Sequence, residues 1–198
     1  IEKIFNGQAT AVSGPLILGD DGKEDFSTEK ANKILDETGW SWNKEENIRG
    51  KEEGKELIKL EFILTVPEID FLIETANALQ QDWAKIGVKL NLSVVSSAQI
   101  NEEIIKSRNY QMILFGNILG KSQDLFSFWH SSQKFYPGLN LALYENKTTD
   151  KLIEAIRQDF NDEKRQAKLN SLQSLIIMDL PVVFLYSPDY LYVSDKNL

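Results

Sequence analysis

The chain has 198 residues, 42% of them hydrophobic, with four Trp, six Tyr and ten Phe, enough apolar surface to bury a full core in one domain or one large lobe. Its 22 basic and 30 acidic side chains leave a formal charge of −8, which repels polyphosphate and anionic lipid and argues against nucleic acid as a partner. There is no Cys, so disulfides, thiol nucleophiles and thiolate zinc sites are excluded and the chain is indifferent to the redox poise of its compartment.

From Ile1 to about Gly22 the sequence is punctuated by Gly7, Gly14, Pro15 and Gly19, which predicts the end of a helix followed by loop and short extended pieces. Ser27 or Thr28 can cap a helix carrying Ala31, Ile34 and Leu35, with Gly39 at its left-handed exit. The polar, charged run from Trp40 to Glu56 reads as a loop. Leu57 to Val66 alternates as a strand in its later part. Pro67 suits the first turn of the next helix, whose stripe is Ile69, Leu72, Ile73, Ala76, Leu79, Trp83 and Ile86. Gly87 ends it, and Val88 to Val95 is the next strand. Strand, helix and strand then form a right-handed crossover with parallel strands.

A weaker repeat follows, with a short helix marked by Ile100, Ile104 and Ile105 and a compact strand from Tyr110 to Phe115. Asp124 to Gln133 is an aromatic-rich helix sequence. Two helices are expected at about Thr149 to Phe160 and about Asp162 to Met178. Pro181 introduces a last strand, Val182 to Tyr186, with Tyr190 to Val193 as its edge partner. No signal peptide, lipobox or apolar run of about 18 residues is present. The first residue is Ile, which implies an excised fragment with any targeting sequence upstream.

Catalytic readings find little support. His130 is the only histidine. Asp124, Ser131 and Ser132 lie near it in sequence, but a triad needs a nucleophile brought from elsewhere on a strained turn. His130 reads instead as a helix C-terminal residue favoured by the dipole. Glu102 with Glu103, or Asp159 with Asp162, could be proposed as a glycosidase acid and base, although both pairs read as solvated helix ends. No phosphate-binding glycine loop occurs. A binding surface remains, and Phe126, Phe128, Trp129, Phe135, Tyr136 and Tyr144 are concentrated where such a surface would draw its apolar area.

The order of short motifs resembles the family 5 extracellular solute-binding proteins, the peptide-binding subunits of bacterial ABC importers. The segments are Ile4 to Ala11 with Gly14-Pro15, Lys30 to Trp40, Ala78 to Val88, Tyr110 to Gly116, Asp124 to Gln133, Asn140 to Tyr144 and Asp150 to Ile156. Arg165, Gln173, Asp179-Leu180-Pro181 and Phe184 to Pro188 complete the match, which runs essentially end to end. Asn117 stands where the family usually has Trp, and Ser122-Gln123 where many members have a further Asp-Pro.

The resemblance implies an α/β fold with a mixed, largely parallel sheet flanked by helices, one lobe of a type II-like periplasmic binding protein. Residues 1–198 are then a single lobe, the second of a two-lobe clamp whose first lobe is absent. It implies non-catalytic capture of an oligopeptide-like solute outside the cytoplasm, periplasmic or lipid-anchored, for an ABC permease in the membrane. Asp124 would anchor the ligand's ammonium, Trp129 and Phe115 would be apolar walls, and Asn117 and Asn140 polar contacts. A nickel or haem site would call for more than one His, so no cofactor is expected. The alternatives are a hydrolase using acidic residues and the ligand-sensing module of a regulatory protein.

Overall fold

The structure, a computed structural model, describes residues 2–16, 26–119, 123–190 and 194, and every structural statement concerns those residues. The fold is mixed α/β. Its contacts divide the chain into two compact units, Asp25–Ile118 and the pair of segments Ile1–Glu24 and Leu119–Leu198.

The unit at Asp25–Ile118 opens with α1′s successor in the chain, a helix at Thr28–Glu37 (α2, α1 being Glu2–Phe5 of the other unit). The Ser27 side chain caps α2 by accepting from the Lys30 N–H at 3.1 Å, and Gly39 leaves it at φ +87°, both as the sequence implies. The stretch expected to be a loop is instead an antiparallel three-stranded sheet of β2 (Ser41–Asn43), β3 (Ile48–Glu53) and β4 (Glu56–Lys59). Its two turns use Asn47 at φ +53° and Gly54 at φ +65°, the residue types that tolerate the left-handed region. Polar composition hid these strands because half of β3 and all of β4 face solvent.

The strand expected over Leu57 to Val66 is interrupted at Leu60, whose N–H donates to the Arg49 carbonyl while its own carbonyl accepts from Lys89 N–H. After it, β5 (Glu61–Pro67) runs parallel to β6 (Lys89–Val95) along its whole length and to β7 (Met112–Ile113) over two residues. Pro67 therefore closes a strand, in register with Val95, and the helix α3 begins at Asp70. That helix ends at Ala84 and the chain turns at Gly87, φ +76°. Leu64, Val66, Leu72, Ala76 and Leu90 form the core between sheet and helix. The short helix α4 (Ser97–Gln99) continues as a π-helical stretch, Ile100–Ile105.

One cation ties the elements of this unit together. Arg49 is 3% exposed. Its guanidinium donates to Asp36 Oδ1 at 2.6 Å, Asn32 Oδ1 at 2.9 Å, the Ile86 carbonyl at 3.0 Å and the Trp40 carbonyl, and lies 5.2 Å from the centre of the Trp42 ring. It thus joins α2, β2 and the turn after α3 to β3. A Cβ on Gly87 would stand 2.7 Å from Arg49 Cγ, so the glycine is needed both for its backbone angle and for room.

The second unit is built on α6 (Lys147–Gln158) and α7 (Asp162–Asp179). Ile153 and Ile156 of α6 meet Leu169, Leu172 and Ile176 of α7 in a core shared with Leu16, Leu125, Trp129 and Tyr144. Asn146 caps α6 by accepting from Thr148 and Thr149 N–H, which starts that helix two residues before the expected Thr149. Gln173 is buried on α7, where its Oε1 accepts from the Leu16 N–H at 3.2 Å and its side chain crowds Gly14.

The last strand lies beyond its expected place. β8 is Tyr186–Pro188, antiparallel to β1 (Ala9–Ala11), because Leu180 in the left-handed conformation redirects the chain and Val183 is left exposed. Of the expected edge partner, residues 191–193 lie outside the described residues. No described helix is long and apolar enough to cross a membrane.

Two stability predictions arise. Arg49→Lys keeps the charge but cannot reproduce a planar fork that serves four acceptors, so it should cost about 2–4 kcal/mol, read as a lowered urea midpoint. The second concerns Asp179, held below the usual carboxylate range first by the hydrogen bond from the Tyr144 hydroxyl and then by that from Asn146. A depressed carboxylate contributes stability above its unfolded pKa and loses it as pH falls through the folded value. Asp179→Asn should therefore lower Tm most at neutral pH, with the difference from wild type closing in acid.

Candidate functional site

The aromatic segment begins with a turn held by Asp124. Asp124 Oδ1 accepts from the Phe126 N–H at 3.1 Å and so opens the one-turn helix α5 (Phe126–Trp129). Gln123 precedes it at φ +51°. Asp124 Oδ2 is 3.3 Å from Arg157 Nε. The same guanidinium lies 4.5 Å from the centre of the Phe126 ring, and Phe126 stacks on His130 at 4.4 Å and 22°. The expected ten-residue helix is thus a single turn of α-helix followed by a 3₁₀ turn, Ser131–Gln133.

His130 supplies the joint between these turns. Its Nδ1 accepts from the Ser132 N–H at 3.1 Å and lies 2.8 Å from the Ser132 hydroxyl oxygen. His130 stands at the C-terminal end of α5, the helix-end position expected from sequence, and caps the 3₁₀ turn that follows. Nε2 is buried without a hydrogen bond, 3.4 Å from Glu154 Oε1 and 4.0 Å from Asp150 Oδ1. Asp150 faces Ser131, accepting from its N–H at 2.8 Å and its hydroxyl at 2.6 Å. Those bonds fasten the 3₁₀ turn to α6.

Asn140 lies at the centre of the following loop with no exposed surface. Its Nδ2 donates to the Tyr144 carbonyl at 2.9 Å and the His130 carbonyl at 3.2 Å, and its Oδ1 accepts from the Tyr144 N–H at 3.0 Å. Its polar atoms are fully engaged within the chain. Trp129 is 6% exposed, 6.1 Å from Tyr144 in an edge-on contact and 5.8 Å from Phe184. As described, both side chains are committed to the interior, where the sequence reading had placed a polar contact and an apolar wall for a solute. Gly138 passes so close to the Gln133 backbone that a Cβ there would overlap it.

Of the five residues singled out from sequence, Asp124, Trp129 and Asn140 belong to this unit, and Asp124 alone of the three is exposed. Beside it is a shallow depression lined by Gln123, Asp124, Ile156, Arg157, Phe160 and Arg165 among others, with Phe160 almost fully exposed. Carboxylates, guanidinium groups and an open ring suit a zwitterionic or amide-rich surface better than a bare apolar one. Sequence reasoning missed Arg157, since no local pattern links residues 33 positions apart.

Phe115 and Asn117 belong to the other unit. The bond from Leu114 N–H to the Thr65 carbonyl, 2.9 Å, is the last tie of this segment to β5. Beyond it Phe115 is 39% exposed, Asn117 is exposed and Ile118 is 95% exposed. They leave the sheet past the carboxyl end of β7, the side on which open parallel sheets present ligand-contacting loops.

With this geometry in view, the likeness to known proteins has a physical basis. The family model described as bacterial extracellular solute-binding proteins, family 5 Middle, matches residues 1–136. An oligopeptide-binding protein OppA of Lactococcus lactis subsp. lactis is 40% identical over 98 residues, 46% of this chain and 16% of the relative. Among solved structures, the Bacillus subtilis oligopeptide-binding protein AppA in complex with a nonapeptide superposes with a TM-score of 0.81 at 23% identity, over 94% of this chain and 38% of that one. Campylobacter jejuni NikZ in complex with Ni(L-His) gives 0.77 at 21% identity, over 94% and 38%. The chain thus spans well under half the length of the relatives it matches, and the solved structures share its mixed α/β fold. The chain belongs to the bacterial extracellular solute-binding proteins, family 5.

Proposed function

We propose that this chain is one lobe of a two-lobe clamp that captures an oligopeptide-like solute outside the cytoplasm and presents it to an ABC permease, without catalysing a reaction. The observation that carries the reading is the family match over residues 1–136, joined by relatives named oligopeptide-binding proteins at 40% and 44% identity. In this reading residues 1–198 form the second lobe, and a first lobe, not part of this sequence, supplies the opposing wall.

The exposed candidates are Asp124 in one unit and Phe115 and Asn117 in the other. Asp124 would anchor an ammonium, sharing its carboxylate with Arg157, while Phe115 offers apolar area and Asn117 a side-chain amide that can pair with a peptide backbone. Trp129 and Asn140 would act by holding the aromatic segment in shape. Recognition through a few charged and amide contacts, with water filling the remainder, suits a protein that accepts peptides of varied side chains. Mass spectrometry under native conditions, on the whole protein containing this chain purified with its co-bound solute, tests the ligand class. A co-purified peptide supports the reading, and a saccharide or metal chelate in its place replaces it.

Two predictions follow from the clamp. A single lobe offers one side of a two-sided cleft, so the 198-residue chain alone should bind short peptides weakly or undetectably by calorimetry. Submicromolar affinity would contradict the two-lobe reading. In the whole protein, Asp124→Asn retains an acceptor for the Phe126 N–H but removes the charge, and should weaken peptide binding by about 2 kcal/mol. Arg157→Gln is the control. If it weakens binding as much as Asp124→Asn does, the carboxylate acts through its internal ion pair and the ammonium-anchor role is lost.

A further inference from the structure

Asn6 and Gly7 form the only Asn-Gly dipeptide in the chain. They make the turn between α1 and β1, both exposed, with Asn6 at φ +50° and Gly7 at φ +83°. Outside its chain neighbours, the nearest described atoms to the position of a Cβ on Gly7 are the Glu2 carboxylate oxygens at 3.8 and 3.9 Å, so the space beside the exposed Gly7 is not closely packed. One hydrogen bond spans the turn, from Gln8 N–H to the Phe5 carbonyl at 2.9 Å.

We propose that Asn6 is a site of spontaneous deamidation, at which the Gly7 backbone nitrogen closes on the Asn6 side-chain carbonyl carbon. The Gly7 N–H gives its proton to solvent base, the N–Cγ bond forms, the Cγ–Nδ2 bond breaks and Nδ2 leaves as ammonia after taking up a proton. The resulting five-membered succinimide adds water at either carbonyl and opens to aspartate or isoaspartate. No oxidation or reduction is involved. Attack requires Asn6 to rotate about its Cα–C bond so that the nitrogen approaches Cγ. A following glycine opposes that rotation least, having no Cβ and access to both signs of φ. The opening needed is local, the loss of one solvent-exposed turn bond, and such openings lie at the low end of the free-energy range for native-state motion.

The chain carries its own comparison. Asn170-Ser171 also places a small residue after asparagine, but it lies within α7 (Asp162–Asp179), where the backbone is held in helical geometry, and Asn170 Oδ1 accepts from Gln166 Nε2 at 3.1 Å. The same chemistry there requires several turns of helix to open.

The product would disturb a defined contact. Phe5 rests on Tyr186 of β8 with ring centres 4.6 Å apart. On the far side of the turn the Gln8 carbonyl accepts from Asp189 N–H at 3.0 Å, and Ala9 to Ala11 pair with Tyr186 to Pro188. Isoaspartate lengthens the main chain by one carbon between these attachments and adds a negative charge close to Glu2. The pairing of β1 with β8 should loosen in the aged chain.

The test is peptide mapping of the full chain aged in mildly alkaline buffer, folded and, in parallel, unfolded in urea. In the folded chain the Asn6 peptide should convert to aspartyl and isoaspartyl forms about tenfold or more faster than the Asn170 peptide, and within about tenfold of the unfolded rate. Conversion no faster than at Asn170, or a folded rate more than about tenfold below the unfolded one, overturns the proposal. Hydrogen exchange gives the second readout. Amides of Ala9 to Ala11 should exchange faster in the aged wild type than in equally aged Asn6→Gln, and equal exchange overturns the stated consequence.

Discussion

The aromatic segment depends on the side-chain amide of Asn140. Residues 134 to 146 carry almost no regular structure, yet the chain there buries Gly138, Asn140 and Tyr144 between exposed residues, and backbone groups at those buried points must find partners inside the protein. One amide serves three of them, the carbonyls of His130 and Tyr144 and the Tyr144 N–H. Leaving a buried backbone group unpaired costs about 1–3 kcal/mol, so this side chain decides whether the loop can exist in its observed form. Its position then fixes that of Tyr144, whose hydroxyl reaches both Thr149 and Asp179. Trp129 can pack against the Tyr144 ring because the loop is closed.

The same logic recurs in the other unit with a cation in place of an amide. Arg49 satisfies the carbonyls of Trp40 and Ile86 where two turns approach β3, and Asp36 and Asn32 complete its fork. The core of Leu64 to Leu90 with α3 lies apart from Ile48, Leu60 and Val88, which are buried beside Arg49. Hydrophobic area is non-directional and sets how tightly sheet and helix associate. Hydrogen bonds, which have direction, orient the β2-β3-β4 sheet: those of the Arg49 side chain, and the backbone bonds from Arg49 N–H to Gly87 and from Leu60 N–H to Arg49.

The elements legible in sequence were those whose signal is local or periodic. The α3 stripe, the Gly87 turn, the β5–β6 pair and the cap at Ser27 were recognisable because 3.6-residue and two-residue periods and capping chemistry are written in neighbouring positions. The β2-β3-β4 sheet was not, because exposed strands of Glu and Lys lack an apolar alternation, and Arg49, buried there between Ile48 and Gly50, counts as polar in any pattern. The site showed the same division. The segment from Asp124 to Tyr144 was recognisable by its residue order. The engagement of Asn140 by Tyr144, of Asp124 by Arg157 and of Asp150 by Ser131 requires knowing which loops meet, and no spacing rule supplies that.

Residue order in this segment is consequently a signature of shape more than of ligand. The proteins with which the chain shares its fold were solved with a nonapeptide, with Ni(L-His) and, in a Thermotoga maritima protein of TM-score 0.73 and 19% identity, with mannohexaose. One architecture therefore hosts chemically unlike ligands. Trp129, Asn140 and Tyr144 are buried and build this architecture, Asn140 and Tyr144 with their side-chain polar atoms bonded inside the chain. Under the proposed function, discrimination would fall to exposed groups on that frame. In the unit of residues 25–118 those are Phe115, Asn117 and Ile118, and in the other unit Asp124, Arg157 and Phe160. Phe115, Asn117, Ile118 and Phe160 among them are exposed positions where changes cost the fold little, while Asp124 and Arg157 also hold the start of α5.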